Sequence, residues 1–298
     1  FFKQKTAYDI MPSLVGSEMC IRDRDTIVRG NKIHTPGGDG GGVYLYEGTY
    51  SFINLVVADN GIPDGVGTGG IAVLSATLRS LHLTCVRNGG IGVGVNHTAR
   101  AALTNTILVS HNVGISVAVG GKATLTATLW GTDTWGNVLD WAGSGTILTG
   151  TVNVWGDPAF VDPDDGDYHI TAVSAAIDQG VDAGVTTDID GEARPNGSGY
   201  DVGADEFFYC YALTGVTITG PVTGITGVAY VFTATISPPT ATLPIAYTWS
   251  PSPLPGTLLL PGQSVVTYTW DTTGTHVITV TAENCGGVVS DTHTITIS

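Results

Sequence analysis

The sequence predicts an all-β protein in which a parallel β-solenoid precedes a β-sandwich. Three observations carry this. Glycine makes up 42 of 298 residues, Thr and Val are abundant, and Leu-rich or Ala/Glu/Lys-rich stretches are few, a composition of strands and turns. A glycine followed by an apolar residue recurs at Gly42-Val43, Gly70-Ile71, Gly92-Val93 and Gly114-Ile115, in steps of 28, 22 and 22 residues. From residue 210 on, alternating runs are separated by Pro and Gly turns at the spacing of a sandwich.

The first 24 residues, FFKQKTAYDIMPSLVGSEMCIRDR, differ from all that follows. They hold four Lys or Arg and both Met, and no apolar run long enough for a signal peptide or a membrane span. Residues 3–8 and 14–23 resemble conceptual translations of sequencing-library adapters, as in an assembled environmental (metagenomic) sequence. That resemblance implies a non-native leader over 1–24 and a missing native N-terminus; a genuine but disordered leader is the alternative. On either reading residues 1–24 are expected to pack against nothing, and solenoid coils are expected upstream of the partial coil at 26–33.

The solenoid follows from columns. Two residues beyond the repeated glycine pairs stand Leu45, Val73, Val95 and Val117; ten beyond stand Ile53, Leu81, Leu103 and Leu125; fourteen beyond stand Val57, Cys85, Ile107 and Leu129. Within each unit apolar residues alternate, and a period-two strand recurring about every 22 residues is a solenoid coil whose like residues stack. The longer first step is expected to loop out at 59–68. Cys85 and Asn105 are expected to point inward, the first as a small buried hydrophobe, the second bonded to backbone.

Setting the leader aside, 7 Lys+Arg face 23 Asp+Glu, a net charge of −16, and no Lys or Arg follows Arg194. Such a surface repels nucleic acid and anionic membrane.

The periodicity over 25–156 resembles right-handed parallel β-helices of the pectate-lyase-like kind. Residues 157–207 resemble the terminal segment of bacterial surface β-helix proteins with a choice-of-anchor region, through Asp-Pro-x-Phe-Val-Asp at 157, Gly-Asp-Tyr-His at 166, Ala-Ile-Asp at 176, Asp-x-Asp-Gly-x-x-Arg-Pro at 188 and Asp-x-Gly-Ala-x-Glu at 201. These resemblances imply a β-helix over 25–208 whose last part, about 157–208, caps the open end.

In the third segment, 209–298, strands are expected at 215–219, 229–236, 245–249, 264–270, 276–282 and 292–297. Tyr268-Thr-Trp270 and the run 274–284 resemble the back half of polycystic-kidney-disease (PKD) type immunoglobulin-like modules, although the Trp-x-x-Gly-Asp-Gly signature of many such modules is absent. In a sandwich of that kind the start of the first strand and the end of the penultimate one lie together, which implies a Cys210–Cys285 disulfide.

Two groups of residues are candidates for chemistry. Asp162, Asp164, Asp165, Asp167, Asp188, Asp190, Asp201 and Asp205 lie in expected turns and could gather oxygens for calcium, chiefly through Asp162, Asp164, Asp188 and Asp190; turn capping or pairing with Arg194 is the alternative. No Glu completes an EF-hand loop. Trp130, Trp135, Trp141 and Trp155 crowd the last coils, where Trp135 and Trp141 could offer sugar platforms and core packing is the alternative.

Enzymes of the resembled fold act on acidic polysaccharides and need clustered carboxylates, with or without a basic residue. In the solenoid, Glu47, Asp59, Asp64, Asp133 and Asp140 show no such clustering, Arg79, Arg87, Arg100 and Lys122 read as singly solvated, and the histidines show no ligand spacing. The expected function is therefore a non-catalytic structural or adhesive fragment of a secreted or surface protein. It would contact polysaccharide or cell-surface glycans, neither nucleic acid nor the membrane interior, and need no cofactor, calcium excepted. A polysaccharide lyase or glycoside hydrolase with its active coils upstream is the alternative; a calcium-dependent carbohydrate-binding module is a third class.

Overall fold

A computed structural model describes residues 20–33, 39–62, 65–252 and 263–298. Leader residues 1–19 and Asp64 lie outside the described residues. The chain divides into two compact units, Phe1–Phe208 and Tyr209–Ser298.

In the first unit, the first eleven of twelve strands alternate between two parallel sheets: β1 (Cys20–Arg29), β2 (Val43–Tyr46), β3 (Thr49–Ala58), β4 (Thr68–Leu74), β5 (Thr77–Val86), β6 (Ile91–Asn96), β7 (Arg100–Val109), β8 (Val113–Val117), β9 (Lys122–Gly131), β10 (Leu139–Ala142), β11 (Thr146–Thr149) and β12 (Asn153–Gly156). One sheet runs β1-β3-β5-β7-β9-β11, with β12 also on β9; the other runs β10-β8-β6-β4-β2. A chain that crosses repeatedly between two parallel sheets, strand after strand, is a β-solenoid. Its lumen is filled by Leu45, Phe52, Leu55, Ile71, Leu78, Leu83, Val93, Leu103, Leu125 and Trp130, all essentially buried.

Each long strand bends at one left-handed residue, and these stack as Asp25, Asn54, His82, Asn105 and Ala127, with φ between 52° and 57°. A non-glycine residue there is strained, and the same position is skipped in the β3–β5 and β5–β7 ladders. A second stack lies inside the corner after the long strands. Asn31 and Asn60, then Asn60 and Asn88, are joined by side-chain hydrogen bonds, Asn88 Nδ2 meets His111 Nε2, and His111 meets Asn137 Oδ1.

The short sheet keeps the expected columns, Val43, Ile71, Val93 and Ile115 in one and Leu45, Val73, Val95 and Val117 in the next. The long sheet does not. Between β5 and β7 the step is 23, so that Ser80, Leu81 and Cys85 lie beside Leu103, Thr104 and Leu108. The corner from β6 to β7, His97-Thr98-Ala99, is one residue longer than its counterpart Ser75-Ala76. A one-residue slip exchanges faces. Val57, Cys85, Leu108 and Trp130 line the lumen, whereas Ile107 and Leu129, expected beside Cys85, lie on the outer face. Asn105 likewise points outward, where it bonds both backbone groups of Val181.

The expectation that residues 1–24 pack against nothing fails for their described end. β1 begins at Cys20 and pairs in register with β3 from Thr49, and Ile21 packs on the lumen core. The alternation of Ile21 with charged neighbours suits an edge strand with one buried face.

Residues 157–208 do not plug an end of the solenoid. They lie along the outer face of the long sheet, where Phe160, Tyr168, Ile170, Ala176, Ile189, Val202 and Ala204 cover Val56, Ala58, Val86, Ile107, Val109 and Leu129. The outer face is apolar across four neighbouring strands, and covering it removes that surface from water. The segment contains a hairpin, β13 (Phe160–Asp162) with β14 (Asp167–Ile170), and is otherwise irregular.

The second unit is an immunoglobulin-like sandwich: β15 (Gly215–Thr219), β16 (Thr223–Gly224), β17 (Ala229–Ser237), β18 (Ala246–Ser252), β19 (Val265–Thr269), β20 (Gly274–Asn284) and β21 (Gly287–Ile297). Sheets β15-β17-β19 and β16-β21-β20-β18 enclose Phe232, Trp249, Trp270, Ile278, Val280 and Ile295. Cys210 and Cys285 are joined by a disulfide with Cα atoms 6.0 Å apart. No helix among the described residues is long and apolar enough to cross a membrane.

Candidate functional site

Most polar chemistry of the first unit gathers where the flanking segment meets the long sheet. Asp59, at a left-handed corner, accepts from Arg29 Nε at 2.9 Å, Arg87 Nε at 2.9 Å and the Tyr168 hydroxyl at 2.6 Å. Burial alone would raise its pKa, but these hydrogen bonds outweigh it and hold the carboxyl below its ordinary value. Arg87, expected to be solvated, also donates to Asp164 Oδ1 and the Pro163 carbonyl. It thus ties the third coil corner to the turn before β14.

A second cluster organises the flanking segment itself. Arg194 Nη1 donates to Glu206 Oε2 at 2.6 Å, both side chains fully buried, while Nη2 donates to the Gly203 and Ala204 carbonyls. The partner of Arg194 is this glutamate rather than one of the aspartates proposed from sequence. Glu206 also accepts the amides of Asn196 and Asp201. Asp188 is buried and accepts the amides of Asp190, Glu192 and Glu206; Asp201 accepts those of Asp178 and Phe207. Burial pushes Asp201 up to about 7. His82 meets the Gly203 carbonyl and Asn105 Nδ2, and the Ala204 amide donates to Thr84 Oγ1, which stitches the segment to β5.

Beside this buried framework lies a cleft of about 270 Å³ lined by His169, Asp190, Glu192, Asp205 and Glu206 with Ile170, Phe207 and Phe208. His169 stands between two carboxylates, Nδ1 on Asp167 and Nε2 on Asp190. The Asp190 hydrogen bond foremost, then the Asp205 charge and the Asp167 hydrogen bond, overcome burial and push the imidazole up to about 10. Asp205 is 7% exposed and its Oδ2 accepts the Ile170 amide. Burial, reinforced by the charges of Asp188 and Asp190, raises it to about 6. One donor atom from each of His169, Asp190 and Asp205 lies within 4.8 Å of the others, the group of potential metal ligands among the described residues.

The four aspartates proposed for calcium are therefore not brought together. Asp162 receives the Asp165 amide in an exposed turn, Asp164 pairs with Arg87, Asp188 holds backbone, and Asp190 alone faces the cleft. Sequence reasoning missed His169, whose partner Asp190 is 21 residues away; the signal within reach was Asp167 two residues before it.

The tryptophans separate in the same way. Trp135 is half-buried and edge-on to Phe160 at 5.2 Å, so it packs under the flanking segment and offers no platform. The short 3-10 turn Asp133–Trp135 carries it there. Trp141 is 46% exposed and meets buried Trp130 edge-on at 5.5 Å. Trp155, 52% exposed, donates Nε1 to Asp140, the neighbour of Trp141. Cys85 is buried, with His111 Nε2 at 3.8 Å. Burial raises the thiol and lowers the imidazole to about 4, leaving both neutral and unreactive.

Residues 215–297 match the family model of the PKD domain. Among solved structures, the PKD domain of an M14-like peptidase from Thermoplasmatales archaeon SCGC AB-540-F20 is similar at 21% identity, covering 30% of this chain and 98% of that one, with a TM-score of 0.26. No curated protein matches the chain.

Proposed function

We propose that the chain is a non-catalytic structural segment of an extracellular or surface-attached protein: a β-solenoid shaft with a sealed flank, carried together with a PKD domain. The use of the polar groups supports this best. Asp188, Asp201, Asp205, Arg194 and Glu206 are the buried charged side chains of the flank, and each is engaged by backbone or by another charge, while half-buried Asp59 on the coil joins coil to flank. Right-handed winding of the pectate-lyase-like kind and a choice-of-anchor relationship for 157–207 belong to the same proposal. A polysaccharide lyase or hydrolase would instead present carboxylates free to reach a sugar ring. Incubating the purified chain with pectin, polygalacturonate and alginate, with and without calcium, distinguishes the two. The expected result is neither unsaturated product nor new reducing ends, and turnover lost on Asp190→Ala would overturn the structural reading.

One observation favours glycan contact as part of the role. Trp141 and Trp155 each expose about half their surface, and Asp140, the residue before Trp141, holds the Trp155 indole through its carboxylate. Flat apolar faces beside a hydrogen-bonding carboxylate suit a sugar. Binding to an immobilised glycan panel that survives Trp135→Phe and is lost on Trp141→Ala is the expected pattern; the absence of binding across the panel would remove this reading.

A further inference from the structure

We propose that the cleft beside β14 is a site for one divalent ion of the zinc or manganese class, held by His169 Nε2 and the carboxylates of Asp190 and Asp205. The inference goes beyond the structural role above and does not depend on it. The three donors come from β14, from the turn around 188–191 and from the stretch 201–206, yet meet within 4.8 Å. Carboxylates brought together at the edge of a protein interior repel unless a cation offsets them. Arg194 is engaged by Glu206 and two carbonyls and does not line the cleft, so the positive charge available there is that of His169 between Asp167 and Asp190, which a bound ion would replace.

Each donor is oriented from behind. Asp167 takes Nδ1 of His169, which leaves Nε2 as the ligating nitrogen, the arrangement that outer-sphere carboxylates impose on metal-bound imidazoles. Asp188 fixes the turn that presents Asp190 by accepting the amides of Asp190 and Glu192. Asp205 is more than nine-tenths buried, its Oδ2 holds the Ile170 amide, and no donor among the described residues reaches Oδ1. Oδ1 keeps some exposure and Asp205 lines the cleft, so this oxygen is open to an ion. On binding, the ion replaces the direct His169–Asp190 hydrogen bond, and Asp190, the exposed member, is the side chain able to adjust.

The donor set decides the class of ion. Calcium and magnesium take oxygen, whereas one imidazole with carboxylates suits zinc or manganese. The cleft leaves space for water ligands, with Glu192 and Glu206 on its wall. Only Asp190 is shared with the quartet expected to bind calcium.

The test uses the full chain, treated with EDTA and dialysed, then titrated with zinc, manganese and calcium chlorides by isothermal calorimetry. One zinc or manganese ion per chain is expected, bound at least tenfold more tightly than calcium and at least tenfold more weakly in His169→Gln and in Asp205→Asn. Far-UV circular dichroism checks that both variants fold; if Asp205→Asn does not, the half-exposed His169→Gln carries the test alone. Cobalt loading adds a direct readout, a visible ligand-field band that His169→Gln removes. No saturable binding would overturn the proposal and leave His169 as an imidazolium bridging two aspartates. Binding unchanged by the variants, or calcium preferred, would overturn it as well.

Discussion

His111 takes the place in the corner ladder that asparagine holds in the coils on either side, and this single substitution carries a charge switch into the core. Burial lowers its imidazole to about 4 against an ordinary 6.5. Between those values the unfolded chain binds a proton that the folded one refuses, so the contribution is complete above pH 6.5 and is lost as the pH falls toward 4. His111→Asn keeps a side chain able to bond Asn88 and Asn137 and has nothing to protonate. Urea unfolding at pH 7 and pH 4.5 should show the stability loss of the parent exceeding that of the variant by about 2–3 kcal/mol. His82, lowered to about 3 by burial and the charge of Arg194, acts in the same direction in both proteins and cancels in the comparison. Arg194 itself offers a second prediction. Replacing it with Met strands Glu206 in a fully buried site, and loss of one partner of such a pair costs about 3–5 kcal/mol. Exposed Arg100→Met should stay within about 0.5 kcal/mol in the same thermal melt. Roles of this kind were only partly legible. Arg194, the last positive charge, marked itself; its partner could not be named, because five or more carboxylates lay within the same stretch and only the backbone path selects Glu206.

At the scale of the strand, the repeat was legible where the coils keep their length and misleading where they change it. Glycine punctuation aligned the short sheet correctly because Gly70, Gly92 and Gly114 stand near the start of β4, β6 and β8, with Gly42 just before β2, where coils approach too closely for a side chain. A Cβ on Gly70 would stand 2.1 Å from the Gly92 carbonyl oxygen. Gly70→Ala should therefore cost at least about 1–3 kcal/mol by denaturant titration, whereas at Gly61 the nearest atom is Lys32 Cγ at 3.5 Å and alanine should be tolerated. No glycine marks the extra residue at 97–99, and both Ile107 and Leu108 are apolar, so the one-residue slip leaves no trace in the pattern. The same double-sidedness explains why the flanking segment was placed at an end: a strand buried on both faces reads as a continuous apolar run, and Ile107-Leu108-Val109 has no polar partner to betray the covered side. Cutting Ile107 to Ala should cost about 2–5 kcal/mol, as at a lumen position, and limited proteolysis should then release the 157–208 segment first.

At the scale of the whole molecule, the two units answer to different bonds. The disulfide closes 75 residues of chain entirely within the second unit, whose reduction should lower that unit's stability by about 4–5 kcal/mol on the chain-entropy account. Calorimetry with and without reductant should move one transition and leave the other in place. The charge of −15 over the chain should keep it from binding DNA, which a filter assay at low salt can check. Solenoids ordinarily melt like a stack of coins, each coil held only by the two beside it, so that ends fray and the middle survives. Here Thr187 is bonded to Asn54, Gly203 to His82 and Asn105, and Asp164 to Arg87, one continuous strip of chain laid across successive coils. A coil cannot peel away without lifting that strip from its neighbours. Unfolding becomes a collective event, and amide protons at the centre and toward the edges of the stack exchange with similar, rather than graded, protection.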